Sequence, residues 1–313
     1  MSGHVKDFPT VVIPFESSCE SETCQDVCVY LRPETNGVQV ESTMMRTIQG
    51  TPLYSENVKL VYLANLPGEF ISRRRIIEHH YRLKILFAKK GKRLFTEYMR
   101  REFSRYFKTD FGDAWILGSF EAMKKLGFSR EDLFNIWVDK KEILHLNGQT
   151  IKHFGEYYII NYDIPALLLK NRTNTDVAVM ILRTKLGPKT VHTLMMDMVD
   201  ALKRSGYLHE SDNFTRVFHF SRSPFEQILD SIGFLYDAEG SHVALRKIRF
   251  YNYLLKNGID ALTIRKFLEY PVFGFENEKG RYFEETIYAA TYGLGYEDAF
   301  RKLNKAKTQV LLD

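Results

Sequence analysis

The longest apolar runs in the chain are each followed by a turn and a proline. VKLVYLANL (58–66) reads as a buried strand, and Pro67 then opens a predicted helix running toward Lys90. VAVMILRTKL (177–186) reads the same way, followed by Gly187-Pro188 and the helical pattern KTVHTLMMDMVDALKRSG. TRVFHF (215–220) is a third strand, and Ser223-Pro224-Phe225-Glu226 after it has an N-cap serine, proline at the first helical position and a glutamate in capping-box spacing. Strand, short turn and Pro-started helix therefore recur three times. The first two strands begin 119 positions apart, a spacing that either a duplication or chance recurrence within an α/β protein produces.

Two Asn-Gly pairs punctuate the remaining strand-like runs. CQDVCVYLRP (24–33), Asn36-Gly37 and VQVESTMMRTI (38–48) together predict a hairpin. EILHLNGQTIKHFGEYYIINYDI (142–164) predicts another, turning at Asn147-Gly148. After Ser241 the pattern becomes helical, in HVALRKIRFYNYLLKNG, IDALTIRKFLEY and YEDAFRKLNKAKTQVLL. The expected class is α/β or α+β, with a mixed sheet containing hairpins, Pro-started helices and a helical C-terminal region. Composition shifts divide the chain into 1–145, an N-terminal α/β region with a basic helical segment at 68–108; 146–240, a second α/β region; and 241–313, helical and packed on the rest. No long Gly/Ser/Pro linker separates them.

Composition places the chain among folded globular proteins: 313 residues, 44% hydrophobic, with 23 Phe and 18 Tyr. No window approaches the length of a transmembrane helix, and no Lys/Arg-led apolar start marks a secretory signal. Three cysteines, Cys19, Cys24 and Cys28, are expected to be reduced thiols in a cytoplasmic protein. Their C-x4-C-x3-C spacing is not that of a zinc knuckle, so they read as small buried hydrophobes, with no metal and no cofactor expected. No GxGxxG, P-loop, GxSxG, HExxH or CxxC sequence occurs. Asp110, Asp113 and Glu121 flank Trp115 and Phe120, which read as part of a buried element. The Met-rich LMMDMVDAL (194–202) has the helical spacing of core packing.

Charge alters this picture in one place. The formal net charge is +5, but residues 73–108 hold 13 Lys or Arg against three acids, so the other 277 residues sum to −5. On a helix, Ile76, His80, Leu83 and Phe87 share one stripe and Arg75, His79, Arg82 and Lys89 another. In the next helical run, Phe95, Met99 and Phe103 or Tyr106 face inward while Arg101, Arg105 and Lys108 lie around the other side. The candidate anion-binding residues are Arg73, Arg74, Arg75, His79, Arg82, Lys89, Lys90, Lys92, Arg93, Arg101 and Arg105. Arginine forks match phosphate oxygens and lysine supplies point charge, so nucleic acid leads as partner, ahead of a small phosphorylated ligand and anionic lipid. An adaptor binding an acidic protein is the alternative, and a solvated helix pair neutralised by acids at 197–212 and 269–285 is the plainest one. The segment's own aromatics share the apolar stripe, which leaves few of them for stacking on bases.

Arg74-Arg75-Ile76-Ile77-Glu78-His79-His80 holds two overlapping Arg-x4-His pairs, Arg74 with His79 and Arg75 with His80. These seven residues resemble the short signature of HEPN-type ribonucleases. The resemblance implies an all-helical fold in which Arg and His act on an RNA phosphodiester, usually across a dimer.

Overall fold

The computed structural model describes residues 8–18, 24–32, 35–170, 176–209 and 217–311. Cys19, Pro33, Thr215, Arg216 and the acids at 210 and 212 lie outside the described residues. The fold is mixed α/β, with three sheets, hairpins and C-terminal helices. The chain divides into two compact units, each assembled from separated segments: unit 1 from 1–76, 172–261 and 291–301, unit 2 from 77–171, 262–290 and 302–313.

Unit 1 is built on a five-stranded sheet ordered β1-β3-β8-β2-β9, with every neighbouring pair antiparallel. The strands are β1 (Thr10–Ile13), β2 (Gln25–Leu31), β3 (Val58–Leu66), β8 (Val177–Thr184) and β9 (Phe218–Phe220). β3 and β8, the two similar apolar runs, pair with each other from Val58↔Thr184 to Leu66↔Val177. All eight residues of β8 are buried because both sheet faces are covered, which is why it reads as a continuous apolar run rather than an alternating one. On one face Val27, Val29, Leu31, Met180 and Leu182 pack with helices Val38–Gln49 and Pro188–Arg204. The Met-rich stretch lies here: Leu194, Met195 and Met198 are all buried core residues. On the other, the Tyr30 ring packs at a tilt of 33° on Phe234 of helix Pro224–Phe234, with ring centroids 4.5 Å apart. Cys24 and Cys28 are buried and unbridged.

The expected hairpin over 24–48 is not formed, because Val38–Gln49 is a helix. Val-Gln-Val alternates over only three residues, whereas the buried set Val40, Met44 and Ile48 keeps a four-residue period that a strand cannot present to one core. The helix predicted from Pro67 to Lys90 is also interrupted. It runs as Gly68–Arg73, Ile76–His80 and Arg82–Lys90, with Arg75 at φ +52° between the first two pieces. The Ser223 cap does form: its hydroxyl accepts from the Glu226 amide at 3.1 Å, while the Glu226 carboxylate accepts from the Arg222 amide.

Unit 2 contains two sheets. One is ordered β4-β7-β6-β5, from β4 (Trp115–Gly118), β5 (Ile143–Leu146), β6 (Gln149–Phe154) and β7 (Tyr157–Ile160), with β4 and β7 parallel and the other pairs antiparallel. The predicted β5–β6 hairpin is present, and Asn147 and Gly148 turn it with φ of +50° and +74°, the backbone this residue pair tolerates best. The second sheet, β11-β10-β12, was not anticipated: β10 (Val272–Glu276), β11 (Tyr282–Thr286) and β12 (Thr308–Gln309) run among the C-terminal helices. Helix Glu97–Phe107 buries Met99 and Phe103 in a core with Phe87, Phe95, Ile116 and Ile160. Its N-cap is Thr96, whose hydroxyl accepts from the Met99 amide.

Candidate functional site

The basic segment is shared between the units. Arg73, Arg74 and Arg75 belong to unit 1, and His79, Arg82, Lys89, Lys90, Lys92, Arg93, Arg101 and Arg105 to unit 2. All eleven are exposed. Counted by unit, the imbalance is sharper than in the sequence as a whole. Unit 2 holds 24 Lys or Arg against 18 Asp or Glu, unit 1 holds 20 against 21, so the entire excess of positive charge is in unit 2.

Several of these cations are engaged. Arg74 Nη2 donates to the Gly240 carbonyl at 2.9 Å and its guanidinium lies over the Phe70 ring. Arg82 meets Glu269 at 3.4 Å and sits over Tyr270, as the plain reading of neutralising acids at 269–285 expects. Arg105 and Arg101 both approach Glu102. Lys89, Lys90 and Arg93 make no ion pair among the described residues. Part of the role of Lys89 and Lys90 is local: they close the last turn of helix Arg82–Lys90, where cations favour the carbonyl end by about 0.3–1 kcal/mol each.

What lies beside them is the feature that sequence patterning missed. Trp115 was expected in a buried element, yet it is 52% exposed. It opens β4, an edge strand, so no partner strand covers its outer side. Helix Arg82–Lys90 and the following turn Gly91–Leu94 pack on β4, and the approach is so close that a Cβ on Gly118 would stand 2.3 Å from the Ala88 carbonyl oxygen. Only glycine fits there. Gly91 faces the same spot with φ +58°, and a Cβ on it would lie 3.1 Å from the Gly118 nitrogen. Lys92 Nζ reaches the Ala114 carbonyl at 3.5 Å, and Lys125 Nζ lies 3.9 Å from the Trp115 ring centroid. A partly exposed indole thus carries the Lys125 ammonium over its ring and the Tyr157 ring beside it, on the strand against which the helix bearing Lys89 and Lys90 packs.

Unit 1 contributes a different kind of polar group. His219 Nε2 lies 3.0 Å from Asp230 Oδ2, with Tyr30 stacked on the imidazole at 4.6 Å. Burial dominates here and pushes His219 down to about 4, with Glu226 opposing that shift, so the ring is neutral at physiological pH. Asp26 and Arg183 form a bidentate pair at 2.7 and 3.0 Å, directly opposite each other on β2 and β8. Burial raises the Asp26 carboxyl in spite of that partner. The second pair joins two strands of the sheet, and the first joins a strand to the helix Pro224–Phe234. Among the described residues no group of His, Cys, Asp and Glu is placed to hold a metal ion, and no helix is long and apolar enough to cross a membrane.

The Arg-x4-His pairs do not sit on one helix. The break at Arg74 and Arg75 falls inside both, and Arg74 is committed to Gly240 and Phe70. The three sheets also depart from the all-helical fold that the ribonuclease resemblance implies. No protein-family model, no curated protein and no solved structure matches the chain.

Proposed function

We propose that this protein binds a polyanion, single-stranded nucleic acid first, through the basic helical surface of unit 2, and acts as a binding or regulatory protein rather than an enzyme. The observation that carries the reading is Trp115: 52% exposed, with the Lys125 ammonium over its ring, on the edge strand against which the helix and turn bearing Lys89, Lys90, Lys92 and Arg93 pack. A phosphate-binding patch needs only cations. An indole held in water among them adds a flat surface on which an unpaired base stacks, at about 1–3 kcal/mol per base. That combination favours nucleic acid over a small phosphorylated ligand or a lipid headgroup, and an unpaired strand over a duplex. The low aromatic availability inferred within residues 73–108 is offset by an aromatic from another element.

The test is fluorescence anisotropy with a labelled oligo-dT strand and the matching duplex, on the full chain and on a variant with Lys89, Lys90, Lys92 and Arg93 changed to Glu. Preferential binding of the single strand, lost in the variant at unchanged circular dichroism, is the expected result. Equal, weak binding of both proteins to both probes ends the reading. If an acidic protein is the true partner, neither probe binds and the basic surface answers only to polyglutamate.

A further inference from the structure

We propose that unit 2 has a second site of opposite character: a cleft between helix Glu97–Phe107, the β5–β6 turn and β11 that takes a small organic cation bearing a primary ammonium group. The cleft volume is about 460 Å³, within the range of small-molecule sites. Tyr98 and Tyr106 of the helix and Phe283 of β11 line it. Aromatic rings attract cations through their faces, and Arg101 already lies over Tyr98 at 5.5 Å.

The polar groups of the cleft are predominantly acceptors. Glu284 is 6% exposed, and three neutral groups donate to it: the Thr96 hydroxyl at 2.6 Å, the Asn147 amide at 2.9 Å and the Tyr282 hydroxyl at 3.3 Å. No ion pair reaches Glu284 among the described residues, so a buried carboxylate stands without a counter-charge, an expensive arrangement unless something supplies one. Two of its donors use Oε2, and Oε1 takes only the long Tyr282 contact. Asn147 lines the same cleft, is 1% exposed, and its Oδ1 accepts no hydrogen bond. Glu285 and Glu102 complete the acidic lining; the Arg105 guanidinium, the lone Lys or Arg lining the cleft, is paired with Glu102.

Two hydroxyls in and around the cleft already donate to protein acceptors. Tyr106 donates to the Ile143 carbonyl at 2.8 Å and Tyr282 to Glu284. Burial pushes the Tyr282 hydroxyl up to about 12 and also raises Tyr98, so both stay protonated. What the cleft lacks is therefore a donor with positive charge. An ammonium supplies three N–H groups, for the unbonded Asn147 Oδ1 and for Glu284 Oε1 with its single long bond, and places its charge against a carboxylate that has no ion pair among the described residues. An anion meets none of these needs.

Isothermal titration calorimetry of the full chain with cadaverine, and with pentanediol as the uncharged analogue of similar length, decides the matter. Saturable one-to-one binding of cadaverine is expected, with pentanediol weaker by about tenfold or more. Glu284→Gln keeps the shape and removes the charge, and weakens cadaverine by about tenfold or more. Should Glu284→Gln fail to fold, Glu102→Gln serves, because it leaves Arg105 unpaired against the ligand and lowers affinity severalfold. No saturable heat with cadaverine, equal binding of pentanediol, or folded variants that bind cadaverine like the parent would overturn the assignment.

Discussion

Helix Glu97–Phe107 takes part in two regions whose chemistry is opposed. Outward it presents Arg100 and Arg101 in the basic surface; toward the cleft it presents Tyr98, Glu102, Arg105 and Tyr106. The outward cations keep most of their hydration, and the surface pairs they make contribute little, roughly 0–1 kcal/mol each. Glu284 across the cleft has lost its hydration and is held by three neutral donors from three different elements. Exposed charge costs almost nothing to place and can be read from local composition. Buried charge has to be assembled, and the assembly records what the site is short of. The net positive charge of unit 2 therefore describes its surface and not its cleft.

The comparison breaks most visibly under charge reversal. Changing Lys89, Lys90, Lys92 and Arg93 to Glu is expected to lower oligonucleotide affinity by more than about 100-fold at low salt, while cadaverine affinity stays within about twofold. A parallel loss of both ligands in calorimetry would show that the two regions are not separate sites. Next in size is Gly118→Ala. The added methyl meets the Ala88 carbonyl, so the helix end must shift, costing about 2 kcal/mol in chemical denaturation and weakening oligonucleotide binding with it.

Trp115→Ala separates stacking from charge. Single-strand affinity should fall about tenfold and duplex affinity hardly at all, because only the unpaired base loses its platform. Trp137, the other tryptophan, is 80% exposed, so the stacking signal is best read as fluorescence quenching in a Trp137→Phe background.

The smallest effect is on pH. Burial raises the Glu285 carboxyl above its ordinary 4.5. Ammonium binding favours the ionised form, so cadaverine affinity is full above the raised value and declines, a fewfold, as pH falls through it. His145 also lines the cleft, and the His145→Gln background isolates the Glu285 contribution.

Much of this fold is legible where one signal decides the outcome. β8 is buried over its whole length and begins with six apolar residues because a central strand is covered on both faces, and Asn147-Gly148 fixes its turn by backbone chemistry alone. Asn36-Gly37 between two strand-like runs points to a hairpin over 24–48, but the four-residue period of Val40, Met44 and Ile48 decides for a helix at Val38–Gln49. β10 and β11 escaped notice because Gly274 interrupts the apolar run and β11 mixes glutamates into its alternation. The cations at 82–105 were visible as composition. Trp115 was not, since WILG looks buried unless one knows that β4 is an edge. The cleft was beyond reach for a plainer reason: Tyr98, Asn147 and Glu284 lie on segments far apart in sequence, and no local pattern joins them.

If unit 2 engages nucleic acid through phosphate contacts from its basic surface, its affinity must follow the salt concentration. The direct measurement is the oligo-dT dissociation constant from about 50 to 200 mM salt, plotted as log affinity against log salt. A steep, linear fall is expected, with a slope that drops by about 3 to 4 when Lys89, Lys90, Lys92 and Arg93 are reversed. A flat plot, or one with the same slope in the reversed variant, would contradict such contacts.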